Sequence, residues 1–322
     1  MRLPLAAALL VAACAREPAD PAKGRVAATP VAGWAADAPF DFSKPRAALD
    51  LDPDTVARRL GAFEWVVAID WSVSLSGEDA PRVHALEHHR LLQSATGDFE
   101  VSVELDPGLG KGSVAGRDVI FTRGMTYGRG RNAPWRERPT DRGRDARRYR
   151  DESFSTPRSA VRLLGEAVVI EPAGDLSLLG RRGKRFLVSL ARAPAAAAPT
   201  PRPPGAPAPD EDTRQRLRFL DGRVPTSATG ELVLDAATGA PLRVQLSAAF
   251  GVKDDPRAQA SLELLAQVRV LGGEVPTVAA PTDALTDERK PAGVAGALEA
   301  AGFRKPDEDK PGRPGTRREP QE

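Results

Sequence analysis

Apolar and polar residues alternate most sharply between positions 64 and 75. Trp65, Val67, Ile69, Trp71, Val73 and Leu75 occupy every second position, and Glu64, Asp70, Ser72 and Ser74 lie among the residues between them. A period of two sustained this long predicts a strand with one buried face, and it puts both tryptophans on that face. Ser76-Gly77-Glu78-Asp79 reads as a turn, a mixed strand follows over 83–94, and Thr96-Gly97-Asp98 turns the chain again. Phe99, Val101, Val103 and Leu105 then alternate with Glu100, Ser102 and Glu104 as far as Asp106-Pro107-Gly108, and Val119 to Tyr127 reads as one further strand. Strands joined by such tight turns form an antiparallel meander with one wet and one covered face.

Two stretches carry the start signals of helices. Asp52-Pro53 places an N-cap before a proline at the first helical position and opens a short helix to Gly61, with Val56, Leu60 and Phe63 on one stripe. Thr156-Pro157 repeats the signature and predicts a helix to Ile170, with Val161, Leu164 and Val168 on one side. An apolar face that broad must be buried, most simply against the dry face of the sheet. The β-pattern continues in strands over 184–191, 215–221, 231–234 and 242–250, and in a final strand carrying Leu262, Leu264, Val268 and Val270. Between them, residues 193–213 are too rich in proline for regular structure.

The fold class expected is mainly β (α+β): a single curved antiparallel sheet, a half-barrel of roughly eight to ten strands with two packed helices. The proline-rich insert could instead separate two domains, but the chain after it offers about four strands and no helix, marginal as an independent unit. The divisions expected are a signal over 1–13, Cys14 and a flexible tether over 14–48, the β domain over 49–282 with the insert extruded from it, and a charged tail over 283–322. A chain with 30 prolines, 29 glycines and only 5% aromatic residues cannot be packed core throughout.

The N-terminus adds location. Arg2 is followed by an apolar run from Leu3 to Ala13 that ends at Cys14, the only cysteine. At ~11 apolar residues the run has the length of a secretory signal and is too short for a spanning helix. Val11-Ala12-Ala13-Cys14 resembles the lipobox of bacterial lipoproteins. That resemblance implies cleavage before Cys14, diacylglycerol on its sulfur and a fatty acid such as palmitate on its new amino group. It thereby implies anchoring in the cell envelope, and Ala15 in place of Asp implies the outer membrane. Several acyl chains on one residue give stable attachment. With its cysteine acylated, the mature chain would have no thiol left for a disulfide.

The order of elements, together with Leu234-Asp235-Ala236-Ala237-Thr238-Gly239-Ala240-Pro241-Leu242, resembles lipoprotein carriers of the LolA/LolB type and their sorting-protein relatives. Mycobacterial glycolipid-binding lipoproteins look similar. The resemblance implies a half-barrel around an apolar cavity closed by helices, hence binding of a lipid or other amphiphile. The lining expected is Trp65, Ile69, Trp71, Val73, Phe99, Val101, Val103, Val161, Leu164 and Val168, the same residues that an ordinary core would use.

The formal charge of +2 hides a local imbalance: ten arginines between Arg123 and Arg150 meet only Glu137, Asp141 and Asp145. Guanidinium groups pair phosphate bidentately. Arg129, Arg131, Arg136, Arg138, Arg144, Arg147 and Arg148 are therefore candidate ligands for an anionic envelope partner such as a lipopolysaccharide phosphate, with nucleic acid not expected there. This gives a second functional class, a structural or interaction lipoprotein, against the reading of the stretch as a mobile basic loop. His84, His88 and His89 cluster, but on a strand His89 points away from the other two, which sit ~13 Å apart. They are read as solvent-facing, and no metal or cofactor is expected. Gly124, Gly128 and Gly130 lack the Lys-Ser/Thr and the strand-loop-helix setting of a phosphate cradle. No nucleophile elbow or Cys-His arrangement is visible, so no enzymatic activity is expected.

Overall fold

The computed structural model describes residues 39–74, 82–108, 114–139, 141–191, 219–253 and 255–286. The expected signal, Cys14, the first part of the tether, the proline-rich insert and nearly all of the tail lie outside these residues. Twelve strands form one open sheet: β1 (Phe63–Ser74), β2 (Arg82–Gln93), β3 (Phe99–Asp106), β4 (Ala115–Thr122), β5 (Met125–Gly130), β6 (Arg136–Arg138), β7 (Val168–Leu178), β8 (Arg181–Leu190), β9 (Arg223–Asp235), β10 (Pro241–Val252), β11 (Asp255–Leu271) and β12 (Leu285–Thr286). Their spatial order is β12-β6-β5-β4-β3-β2-β1-β11-β10-β9-β8-β7. Two meanders, β1 to β6 and β7 to β11, are thus joined along β1 and β11, which pair antiparallel from Phe63 with Leu271 to Ser74 with Gln259. The outermost strands do not meet, so the sheet is a half-barrel and not a closed one.

The alternation in β1 fixes which face is inside. Trp65, Val67, Ile69 and Trp71 lie opposite Leu91, His89, Glu87 and Ala85 of β2, and opposite Val268, Ala266, Leu264 and Leu262 of β11. Val244, Leu246, Ala248 and Phe250 of β10 continue the same rows, followed by Leu232 on β9 and Phe186 on β8. One continuous inner face results, and its apolar side chains belong to a single core.

Helix α1 (Pro53–Leu60) forms where its caps predict. The Asp52 carboxylate accepts from the Thr55 backbone N–H at 2.8 Å and from its hydroxyl at 2.8 Å, and Gly61 at φ 82° ends the helix. Helix α2 differs from expectation: it spans Arg144–Leu163 and encloses Thr156-Pro157. Its buried side, Ala146, Arg150, Ser153, Phe154, Pro157, Ala160 and Val161, has helical spacing. A charged and a hydroxyl residue at core positions hide that spacing from a hydropathy reading. The N-terminal start comes from Asp141, whose carboxylate accepts the Asp145 N–H at 2.9 Å. Thr156 sits within the helix, its hydroxyl donating to the Glu152 carbonyl at 3.0 Å. Val168 and Ile170, expected on the helix, belong to β7.

Other departures have local causes. The strand expected over 119–127 is two, because Arg123 at φ 51° and Gly124 at φ 78° make a two-residue turn between Thr122 and Met125. Most of the arginine-rich stretch is accordingly β5, β6 and the start of α2, with turns between them. Strand β9 begins at Arg223, well before Glu231. Pro225, which argues against a strand in sequence, sits where the pairing with β10 shifts register, a place where proline is tolerated. The described end of the run expected as a strand over 215–221 is helical at 219–222. Residues 39–48, expected as tether, are part of the fold. Pro45–Asp50 is a 3-10 helix with Pro45, Ala48 and Leu49 buried, and Phe40 stands against Gly239, where a Cβ would clash with its ring.

Candidate functional site

Helix α2 lies across the inner face of β1 to β4 and β11, with α1 and the 45–50 turn beside it. Phe154 descends onto the sheet, its ring 5.1 Å from that of Trp65 and 6.1 Å from that of Phe63. Of the lining expected from sequence, Trp65, Ile69, Trp71, Phe99, Val101, Val161 and Leu164 are buried in this interior, and Val73, Val103 and Val168 pack at its margin. The structure thus brings all ten to one apolar cluster, although Val168 arrives from β7 and Leu164 from the end of α2.

The interior is not purely apolar. His89 is buried on the inner face, against the expectation that the histidines face solvent; only His84 and His88 point outward, and His84 Nε2 meets Asp70 at 2.6 Å. His89 Nε2 stands 2.7 Å from Glu87 Oε1, and His89 Nδ1 stands 2.9 Å from Ser153 Oγ of α2, a residue with no exposed surface. With Nε2–H donating to the carboxylate, Nδ1 accepts from the Ser153 hydroxyl. This chain of carboxylate, imidazole and hydroxyl ties α2 to β2. Sequence reasoning missed it because Ser153 and His89 are 64 positions apart; their register on β2 and α2 was the missing information.

Arg150 makes the second polar tie. Only 4% exposed, it forks onto Asp54 of α1 at 2.7 and 3.1 Å, reaches Asp151 at 2.9 Å and lies 4.9 Å over the Phe99 ring. Burial alone would lower its pKa, but Asp151 and Asp54 raise it, so the charge is secure. Burial pushes the Asp151 carboxyl up against the pull of Arg150, and pushes Glu152 up against Arg148 and His89. Further ties are Arg223 to the Leu163 carbonyl at 2.9 Å and Arg158 and Arg162 to Asp50, each at 3.8 Å. The cover is thus held by apolar contact at its centre and by charge at its rim.

Among the described residues, three buried side-chain atoms on the inner face have no hydrogen-bond partner: Nε1 of Trp65, Nε1 of Trp71 and Oε1 of Gln93. A buried donor left unmade costs about 1–3 kcal/mol. Both tryptophan donors flank the polar chain, since Trp65 and Trp71 are diagonal neighbours of His89 and Glu87 across the β1–β2 ladder.

The arginines expected to hold an anion are mostly engaged on the other side of the sheet and along α2. Arg129 pairs with Asp118 at 2.7 Å and stacks 4.4 Å from the Trp135 ring, and Arg131 pairs with Glu104 at 2.7 Å. Arg138 and Arg144 both approach Asp145, Arg148 lies 3.8 Å from Glu152, and Arg147 covers the Phe121 ring. Arg136 is exposed on β6. Arg131 lies in the turn after β5, and the other six are spread over β5, β6 and α2. Among the described residues no group of three or more His, Cys, Asp or Glu is placed to hold a metal ion, and no helix is long and apolar enough to cross a membrane.

No family model matches the chain, and no curated protein matches it in sequence. Solved structures similar to it include a LolA superfamily protein from Nitrosomonas europaea, at 7% identity and TM-score 0.21, covering 72% of this chain and 97% of that one. An outer membrane lipoprotein-sorting protein domain from Vibrio parahaemolyticus is similar at 9% identity and TM-score 0.21, over 72% of this chain and 92% of its own. A DUF1329 family protein from Desulfovibrio piger is similar at 6% identity and TM-score 0.21, over 71% and 93%.

Proposed function

We propose that this chain binds the hydrocarbon part of a lipid or similar amphiphile between the inner face of the half-barrel and α2. The observation that carries this reading is the pair of unsatisfied indole N–H groups in an apolar interior under one helix. A core packed only for stability satisfies or excludes such donors. A ligand with apolar chain and polar end supplies both the contact and the acceptor. At the outer end of the cover the ties of Arg158 and Arg162 to Asp50 are long, partly exposed ion pairs, which suits a cover that lets a chain pass beneath it.

The lipobox-like Val11-Ala12-Ala13-Cys14 supports placing this activity at the bacterial envelope, with the protein held in a membrane by its own acyl chains. The arginine segment supports a structural role, because its charges brace neighbouring strands and α2. Purified, detergent-free protein is expected to release extractable lipid, or to brighten a hydrophobic dye while its circular dichroism stays that of the folded state. Folded protein that does neither overturns the reading. Labelled palmitate should enter the wild-type chain and not Cys14→Ser.

A further inference from the structure

We propose that the end of the half-barrel at which the chain enters the fold docks on an anionic bilayer surface through Arg123, Arg142 and Arg144. The proposal rests on the reading of Cys14 as a membrane anchor, and it adds which way the anchored fold faces. The described residues begin at 39, and Phe40 stands against Gly239 in the β9–β10 turn. The register puts the β2–β3, β4–β5 and β7–β8 turns at this same end. Phe63 lies level with Gln93, Phe99 and Phe121 on one side of β1 and with Leu271 on the other, and Asp235 lies level with Gly183. The β3–β4, β5–β6 and β10–β11 connections leave from the opposite end. With Cys14 held in a bilayer, residues 15–38 therefore lead to the first end and not to the second.

The side chains at this end suit a phosphate-rich surface. Arg123 at φ 51° and Arg142 at φ 49° each open a left-handed Arg-Gly pair, where turn chemistry favours asparagine, aspartate or glycine and gives arginine no advantage. Phe121 brings the two turns together: it lies two residues before Arg123, and its ring fills the space that a Cβ on Gly143 would need. Arg123, Arg142 and Arg144 are all exposed, Arg144 at 86%. Among the described residues no carboxylate pairs with Arg123 or Arg142, and Arg144 comes no nearer than 4.0 Å to Asp145. The acids beside them are turned to other donors. Asp98 accepts the Arg123 N–H at 3.1 Å, Asp141 accepts the Thr126 hydroxyl at 2.7 Å and the Asp145 N–H at 2.9 Å, and Asp145 lies 3.5 Å from Arg138. The three guanidiniums thus face outward, where headgroup phosphates can pair with them. Arg129, Arg131, Arg138 and Arg148 differ, because their partners lie within the fold. An anchored fold stands at roughly millimolar effective concentration beside its membrane, so a few charges are enough to orient it.

The test uses the chain as its host processes it, reconstituted in vesicles of phosphatidylcholine and phosphatidylglycerol mixed two to one, with a trace of lipid carrying a quencher on its headgroup. Cys14 is the only cysteine, so once it is acylated an introduced thiol is the only one to label. Ala95→Cys puts a fluorophore in the exposed β2–β3 turn at the docking end, and Ala133→Cys puts one in the exposed β5–β6 turn at the other. The label at 95 is expected to be quenched and the label at 133 to be spared. The difference is expected to vanish on pure phosphatidylcholine and in about 0.5 M salt. Each of Arg123→Gln, Arg142→Gln and Arg144→Gln should lower the docked population roughly fivefold. Arg131→Gln, Arg136→Gln and Arg257→Gln together, which remove the same charge from the opposite end, should leave it unchanged. Equal quenching at the two sites, or quenching at 95 that persists on pure phosphatidylcholine or in the triple variant of the docking arginines, overturns the docking and leaves the anchor standing. Loss of quenching in the opposite-end variant also overturns it, since net charge and not this end would then hold the fold down. A chain that carries no acyl group and washes off both kinds of vesicle is the separate result that removes the anchor, and the docking with it.

Discussion

Replacing Arg150 tests whether α2 is clamped at its rim. The guanidinium makes two bonds to Asp54 and one to Asp151, between 2.7 and 3.1 Å, and is nearly fully buried. Breaking a wholly buried pair costs about 3–5 kcal/mol. Here both carboxylates are half-exposed, at 50% and 54%, and regain water when the arginine leaves. That lowers the expected loss to about 2 kcal/mol for Arg150→Met, which keeps a chain over the Phe99 ring. Arg150→Ala also loses that packing and should cost about 3 kcal/mol. For a two-state body of this size the urea slope is about 2–3 kcal/mol/M, so Arg150→Met should lower the midpoint by roughly 0.7–1 M. Combined with Asp54→Asn in a double-mutant cycle, the two changes should couple by about 1–2 kcal/mol. Hydrogen exchange should quicken in α2 while β1 and β10 stay protected, because the clamp holds the cover and not the sheet. A midpoint within about 0.2 M of wild type, or an additive cycle, would refute the clamp.

Asp235, 2% exposed, accepts from the Thr238 N–H at 2.9 Å, the Thr238 hydroxyl at 2.7 Å and the Ala237 N–H at 3.2 Å, and pairs with Arg181. Burial pushes its pKa up, but the Arg181 and Thr238 bonds outweigh it and leave the carboxyl below its usual value. A folded pKa below the unfolded one stabilises above pH ~4, and the contribution disappears as pH falls through the folded value. Asp235→Asn should therefore lose about 2–4 kcal/mol at pH 7 and progressively less towards pH 3 in urea titrations; a pH-independent difference contradicts this. Gly239→Ala adds a Cβ against the Phe40 ring at a residue with φ 71°. It should cost about 1–3 kcal/mol and speed proteolysis within 39–50, whereas unchanged cleavage there would show that Phe40 does not hold that segment down.

The inner face was legible in the sequence because it is written in period two. Trp65 to Trp71, Phe99 to Val103 and Leu242 to Phe250 all stand where their alternation puts them. The turn at Thr96-Gly97-Asp98 was equally plain. What escaped has two physical sources. Tight turns that use one glycine and an ordinary residue, Arg123-Gly124 and Leu179-Gly180, carry little compositional signal, so β5 merged with β4 and β7 was lost. The front half of α2 escaped because Arg150 and Ser153 occupy core positions where a reading by hydropathy expects leucine. Those two side chains bind Asp54 and His89, partners set by tertiary structure, and no local pattern announces them. The lining of the candidate site was therefore visible in the sequence, and its polar part was not.

The pairing of β1 with β11 has a consequence for how the molecule comes into being. The strand that bears both tryptophans is among the first to be synthesised, and its neighbour on one side is encoded about two hundred residues later. Until that late partner docks, Trp65 and Trp71 sit on a bare edge with one flank unpaired, a surface that invites association with other chains. A chain made from its N-terminus therefore holds this apolar edge open long before its partner strand arrives. Any interior worth filling comes into existence only at the last step of assembly.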